Sequence, residues 1–132
     1  MNLYTAQYRY KGSTRMDITA ATKNRFGWVF APTWDIVRMF KADPTNLRVH
    51  KTYTEEYLRQ MRASYKANRE IWDTVLSFKE ITIVCYCTTA FCHRHLLADI
   101  LTKLGAVNHG ERPIINKTKE QPIDLLSNTF TE

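Results

Sequence analysis

The sequence predicts a single α/β domain in which a small, mostly parallel sheet is flanked by helices. Three features carry this expectation: alternation along Leu3 to Tyr10, a β-branched run from Ile81 to Cys85, and helical periodicity over Thr54 to Leu76 and again over Cys92 to Leu104. A short, largely apolar and β-branched strand of the Ile81–Cys85 kind belongs to a sheet covered on both faces, and such sheets are parallel.

In order along the chain, Tyr4, Ala6, Tyr8 and Tyr10 fall on one face of the first predicted strand and Thr5, Gln7 and Arg9 on the other. Lys11-Gly12-Ser13-Thr14 breaks it, and Met16-Asp17-Ile18-Thr19 is a brief second strand. Pro32 and Thr33 begin a helix through Phe40, which Asp43-Pro44 ends. Asn46 to Tyr53 reads as loop. Thr54, followed by Glu55 and Glu56, opens a long helix to Leu76, cap first and acids in the first turn. Its inward stripe is Leu58, Met61, Tyr65, Asn68, Trp72 and Val75, beside a basic edge of Arg59, Arg62, Lys66 and Arg69. After the Ile81–Cys85 strand, a helix from Cys92 turns Leu96, Leu97, Ile100, Leu101 and Leu104 inward and stops at Gly105. Periodicity weakens from Val107. The expected division is therefore a Rossmann-like ligand-binding body over 1–106 and a tail over 107–132 that docks on the body or on a neighbouring subunit.

A chain of 132 residues suits one domain with a real core. Its net charge of +6 favours anionic partners. No Lys/Arg block or nucleic-acid motif accompanies that charge, so nucleic acid is not the expected partner. No apolar run is long enough to span a membrane, and the start of the chain lacks the layout of a signal peptide, which points to the cytoplasm. Three cysteines within eight residues do not make a disulfide framework.

The chemistry concentrates in ITIVCYCTTAFCHR, Ile81 to Arg94, where a strand hands over to a helix. Ligands of open α/β sheets sit beyond the carboxyl ends of the strands. A helix start there offers unpaired N–H groups to a phosphate, and Arg94 adds a forked donor, so Cys87, Thr88, Thr89, Phe91, Cys92, His93 and Arg94 form the expected ligand-binding turn. Asn68 and Thr33 are candidates to hydrogen-bond a sugar or base, Tyr8, Trp34 and Tyr65 to stack on a ring, and Arg69 to guide an anion. His93 points into the leucine face and is expected to donate to a neighbouring acceptor, while His95 points away. The thiols also allow nucleophilic catalysis, with Cys92 or Cys87 attacking and His93 as base. A metal centre is not expected, because no Cys-x2-Cys pair occurs and the two histidines of the turn face different ways. No cofactor is implied.

Cys87-x4-Cys92-His93-Arg94 after an apolar strand, followed by His95-Leu96-Leu97-Ala98-Asp99-Ile100-Leu101, resembles the domain-of-unknown-function 488 family, above all its short bacterial and phage forms. Tyr4 to Tyr10, Phe30 to Trp34, and Tyr57 through Asn68 to Trp72 are similar as well. The resemblance covers Leu3 to Ala106 and implies an α/β fold and a site rather than a reaction. The expected function is binding of a phosphate-bearing, nucleotide-derived small molecule. By analogy with the phage forms, this would sequester a host immune signalling nucleotide in the host cytoplasm, with an oligomer enclosing the ligand. The alternative is a cysteine-dependent enzyme acting on a nucleotide or glycosidic bond.

Overall fold

The computed structural model describes residues 1–87 and 91–114. Within them β1 (Asn2–Gln7), β2 (Arg15–Asp17), β3 (Glu80–Cys85) and β4 (Val107–Glu111) form one sheet in the order β2-β3-β1-β4, each adjacent pair parallel. Strand β3 is central, as its largely apolar, β-branched run requires: Ile83, Val84 and Cys85 are fully buried, and its register against β1 runs from Asn2↔Glu80 to Gln7↔Cys85. Its one polar interior residue, Thr82, is satisfied through a hydroxyl contact of 3.0 Å with Thr14.

Four helices flank the sheet: α1 (Trp34–Ala42), α2 (Leu47–Ala67), α3 (Arg69–Leu76) and α4 (His93–Lys103), with a 3₁₀ turn at Gly27–Phe30. Helix α4 packs Leu97, Ala98 and Leu101 toward β1 and β3. Leu96 and Ile100 are half-buried and Leu104 is exposed, so the inward face is rotated from the leucine stripe toward Arg94. The helix ends as Gly105 predicts. With φ +110° at Gly105, the Gly105 N–H bonds Thr102 O (3.0 Å) and the Ala106 N–H bonds Leu101 O (3.0 Å), a Schellman closure that turns the chain back into β4.

Four boundaries differ from the sequence expectation. Strand β1 stops at Gln7, because the Tyr10 N–H turns back to Gln7 O at 2.9 Å. Helix α2 starts at Leu47 rather than Thr54: the Asn46 side chain caps it by accepting from the Arg48 N–H at 2.8 Å, and Thr54 lies inside, donating to His50 O at 2.9 Å. The expected loop is thus two helical turns, which place Tyr53 in the core. The long helix is in fact two. At Asn68 (φ −125°, ψ 36°) α2 ends and α3 begins, and the redirected chain drives Trp72 into the core against Phe30, with ring centroids 4.7 Å apart. Last, Val107–Glu111, where periodicity fades, is an edge strand on β1. Such a strand is mostly exposed and carries no apolar alternation to read. The rest of the expected tail, 115–132, lies outside the described residues. Among the described residues no helix is long and apolar enough to cross a membrane.

Candidate functional site

Strand β3 ends at Cys85, the chain passes through Tyr86 and Cys87, and α4 begins after Cys92. Cys92 is the N-cap in extended conformation (φ −162°, ψ 147°), without a side-chain capping bond. This is the carboxyl end of a central parallel strand, and a cavity of about 270 Å³ opens there. Helix α1 contributes Trp34, Val37, Phe40 and Lys41, and α2 contributes Tyr53. The floor is Cys87, Phe91, Cys92 and His93, with Tyr86 and the Thr19–Ala21 segment at the sides.

Aromatic packing shapes the cleft. Phe91 stacks on His50 (4.2 Å between centroids, 6° between planes) and on Phe40 (5.5 Å), and meets Tyr53 edge-on. Trp34 and Tyr86 are about half exposed, at 49% and 59%, and so present ring surface to an incoming molecule. Tyr86 is backed by Tyr8 at 4.1 Å, and the Arg15 guanidinium lies 4.6 Å from the Tyr8 ring centre. Burial, and then the charge of a neighbouring Cys87 thiolate, hold Tyr53 firmly protonated.

His93 is buried, and its Nε2 lies 2.8 Å from Ile18 O. A carbonyl only accepts, so Nε2 carries the proton and Nδ1 keeps its lone pair, 3.9 Å from Cys92 Sγ. Burial pushes the imidazole down to about 4, against the opposing pull of the Ile18 carbonyl and with help from Arg94, so the ring is neutral near pH 7. Burial likewise raises the Cys87 thiol, and the nearby charges of Arg94 and Lys41 only partly offset this. The structure joins Cys85 and Cys92 as a disulfide, with Cα atoms 7.8 Å apart, and Cys87 is the free cysteine among the described residues.

The expectation for Arg94 needs correction. Its side chain is 3% exposed, and its donors are directed at protein acceptors. Nε and NH2 bond the two Glu111 carboxylate oxygens at 3.1 and 2.8 Å, while NH1 bonds Cys87 O at 2.8 Å and Cys85 Sγ at 3.2 Å. The guanidinium is therefore a clamp that ties β4 and the end of β3 to α4, and it does not line the cleft. Partial burial alone would raise the Glu111 carboxyl, but the hydrogen bonds from Arg94 and Thr5 and the charge of Arg94 outweigh it and hold the group below the usual carboxylate range.

Of the other predicted site residues, Cys87, Phe91, Cys92, His93 and Trp34 meet at the cleft, and Tyr8 stands one layer behind it. Thr33 caps α1 and exchanges hydrogen bonds with Gln60 at the surface. Tyr65 lines a separate groove with Met61, Trp72 and Ile100. Asn68 reaches back to Ser64 Oγ at 3.4 Å, and Arg69 pairs with Asp73, so neither enters the cleft; both lie past the far end of α2 from Tyr53, about 22 Å along the helix axis. Thr88 and Thr89 lie outside the described residues. Tyr53, Phe40, Lys41 and Thr19 were not foreseen. An earlier helix start, signalled by Asn46, would have brought Tyr53 into view.

The model of a protein family described as the active DUF488-N3 subclade matches residues 2–105. No curated protein and no solved structure matches the chain.

Proposed function

The chain belongs to the DUF488 family, and from that premise we propose that the cleft at the end of β3 holds an anionic, nucleotide-derived small molecule. The carrying observation is the cleft's composition: rings of Trp34, Phe40, Tyr53, Tyr86 and Phe91 share one cavity with Lys41 and the first turn of α4. Rings offer stacking to a base, while the ammonium and the positive end of the helix offer charge to a phosphate. Lys41 takes the part that Arg94, bound to Glu111, cannot play. The volume of about 270 Å³ lies near the lower end of ordinary ligand sites, about 300–1,000 Å³. The net charge of +6 supports the sign of the ligand. Sequestration of a host immune nucleotide is the biological form of this reading, supported by the likeness to short phage members.

Calorimetry with mono-, di- and cyclic nucleotides tests it. Trp34 and Lys41 are exposed enough to replace without disturbing the core. Trp34→Ala and Lys41→Ala should each weaken binding at least about tenfold, or about 1.4 kcal/mol. Absence of binding across the series, or affinity indifferent to both substitutions, refutes the reading.

Two observations favour turnover as a second reading: the Cys87 thiol faces the cleft, and the matching subclade is described as active. Cys87, whose thiol is free, would attack with His93 as base. Nucleotide breakdown that disappears in Cys87→Ser would establish catalysis over simple holding.

A further inference from the structure

We infer that Cys85, Cys87, Cys92 and His93 form a Cys3His site for a thiophilic divalent metal ion, zinc foremost, beneath the cleft. Their donor atoms, three Sγ and one imidazole nitrogen, all lie within 4.8 Å of one another. Around tetrahedral zinc, sulfurs stand about 3.8 Å apart and a sulfur and a nitrogen about 3.6 Å apart. The separation of 3.9 Å between Cys92 Sγ and His93 Nδ1 is already close to such an edge. Cys85, Cys92 and His93 are 0%, 2% and 5% exposed, so the donors converge in a dry place where unpaired polar atoms are costly.

Two further features fit a ligand set better than a packed cluster of thiols. The first is orientation. The Nε2–H of His93 is spent on Ile18 O at 2.8 Å, which aims the Nδ1 lone pair at the sulfurs, and metal-bound histidines are held by outer partners of this kind. Arg94 NH1 likewise donates to Cys85 Sγ at 3.2 Å, a bond that in the reduced pair favours the thiolate that a metal needs. The second is backbone spacing. Disulfides span Cα separations of about 4.4–6.8 Å. Cys85 and Cys92, joined in the structure, stand 7.8 Å apart, beyond that span, and the separation suits two reduced sulfurs held through an ion.

The sequence argument against a metal rested on the absent Cys-x2-Cys pair and on the divergence of His93 from His95, and the site needs neither. Cys92 is extended and His93 helical, and that change of conformation turns both side chains to one point. Four protein donors complete a tetrahedron and leave no open position, so the ion would staple the end of β3 to the start of α4 as a structural centre. A thiol reductant first opens the Cys85–Cys92 bond, supplying two electrons and two protons and leaving as its own disulfide; loading then exchanges three thiol protons for the cation, with the three protons released to solvent. The inference goes beyond the proposed ligand, and its test involves no nucleotide.

Protein without a polyhistidine tag, purified under reductant and without chelator, is measured for metal by plasma mass spectrometry. The stripped protein is then titrated with cobalt(II). One ion per chain is expected, with a near-ultraviolet thiolate-to-cobalt charge-transfer band, the strong visible bands of tetrahedral cobalt, and a rise in melting temperature on loading. Cys85→Ser would bury a hydroxyl in a fully enclosed position, so the variant chosen is Cys87→Ser at the half-exposed ligand. It should weaken cobalt binding more than about 100-fold, beyond the 10–100-fold typical of outer-shell partners. The inference is overturned by far less than one ion per chain after incubation with zinc, by a cobalt spectrum lacking the charge-transfer band, by affinity unchanged in Cys87→Ser, or by a Cys85–Cys92 disulfide that survives reduction of the folded protein.

Discussion

Glu111→Ala should destabilise the protein far more than an edge-strand acid ordinarily would. The carboxylate takes two hydrogen bonds from Arg94, at 3.1 and 2.8 Å, and one from the Thr5 hydroxyl at 2.5 Å. Removing it leaves a guanidinium whose side chain is 3% exposed without its counter-charge. Breaking a fully buried pair in this way costs about 3–5 kcal/mol. The Glu111 side chain is 36% exposed, so water enters the vacated place and recovers part of the loss. We therefore expect about 2 kcal/mol, a substantial fraction of a total stability of about 5–15 kcal/mol. At about 4 °C per kcal/mol for a domain of this size, the melting temperature falls by about 8 °C. Urea unfolding followed by far-ultraviolet circular dichroism measures the change. Asp73→Ala is the control, since its pair with Arg69 has side chains 57% and 59% exposed, is screened by water and should change stability little. Equal losses in the two variants would show that Arg94 is not held as described.

The same carboxylate sets an acid limb: its native pKa is depressed, so its contribution is complete above the unfolded value of about 4.3 and is lost as pH falls through the lower native value. The melting temperature of Glu111→Gln should accordingly decline less steeply than that of the parent below about pH 4.3, and parallel curves would contradict this. Ser64→Ala strands three groups at once, because the hydroxyl donates to Val29 O (2.6 Å) and accepts from Trp72 Nε1 (3.1 Å) and Asn68 Nδ2 (3.4 Å). Urea unfolding should register a loss of about 1–3 kcal/mol. Gly27→Ala would set a Cβ 2.0 Å from the backbone oxygen of Asp17. The forced shift should cost about 1–3 kcal/mol, and a variant as stable as the parent would mean that the two segments are not in contact.

Much of the architecture was legible because it is written in local pattern. The β-branched run Ile81–Cys85 announced a central strand, Gly105 announced the end of α4, and three-and-four spacing announced the helices. The position of His93 on α4 was likewise enough to predict a buried ring bonded to an acceptor, although Ile18 itself could not be named. Asn46 and Asn68 were misread for one reason. A short amide side chain serves equally as loop residue, cap or interior group, and only the contacts around it decide which.

The site shows the same division more sharply. Residue types and their order determined that thiols, an imidazole and a helix start would meet after β3. The sheet order decided the rest. Pairing β4 with β1 carries Glu111 across 106 residues to Thr5 and places it on Arg94, which withdraws that guanidinium from the cleft. The packing of α1 and α2 supplies Lys41, Phe40 and Tyr53 in its place. Periodicity reports which face of an element is covered, but a charge becomes donor, clamp or bystander according to its neighbours. Those neighbours are brought together by strand pairing between distant segments, which no local pattern encodes.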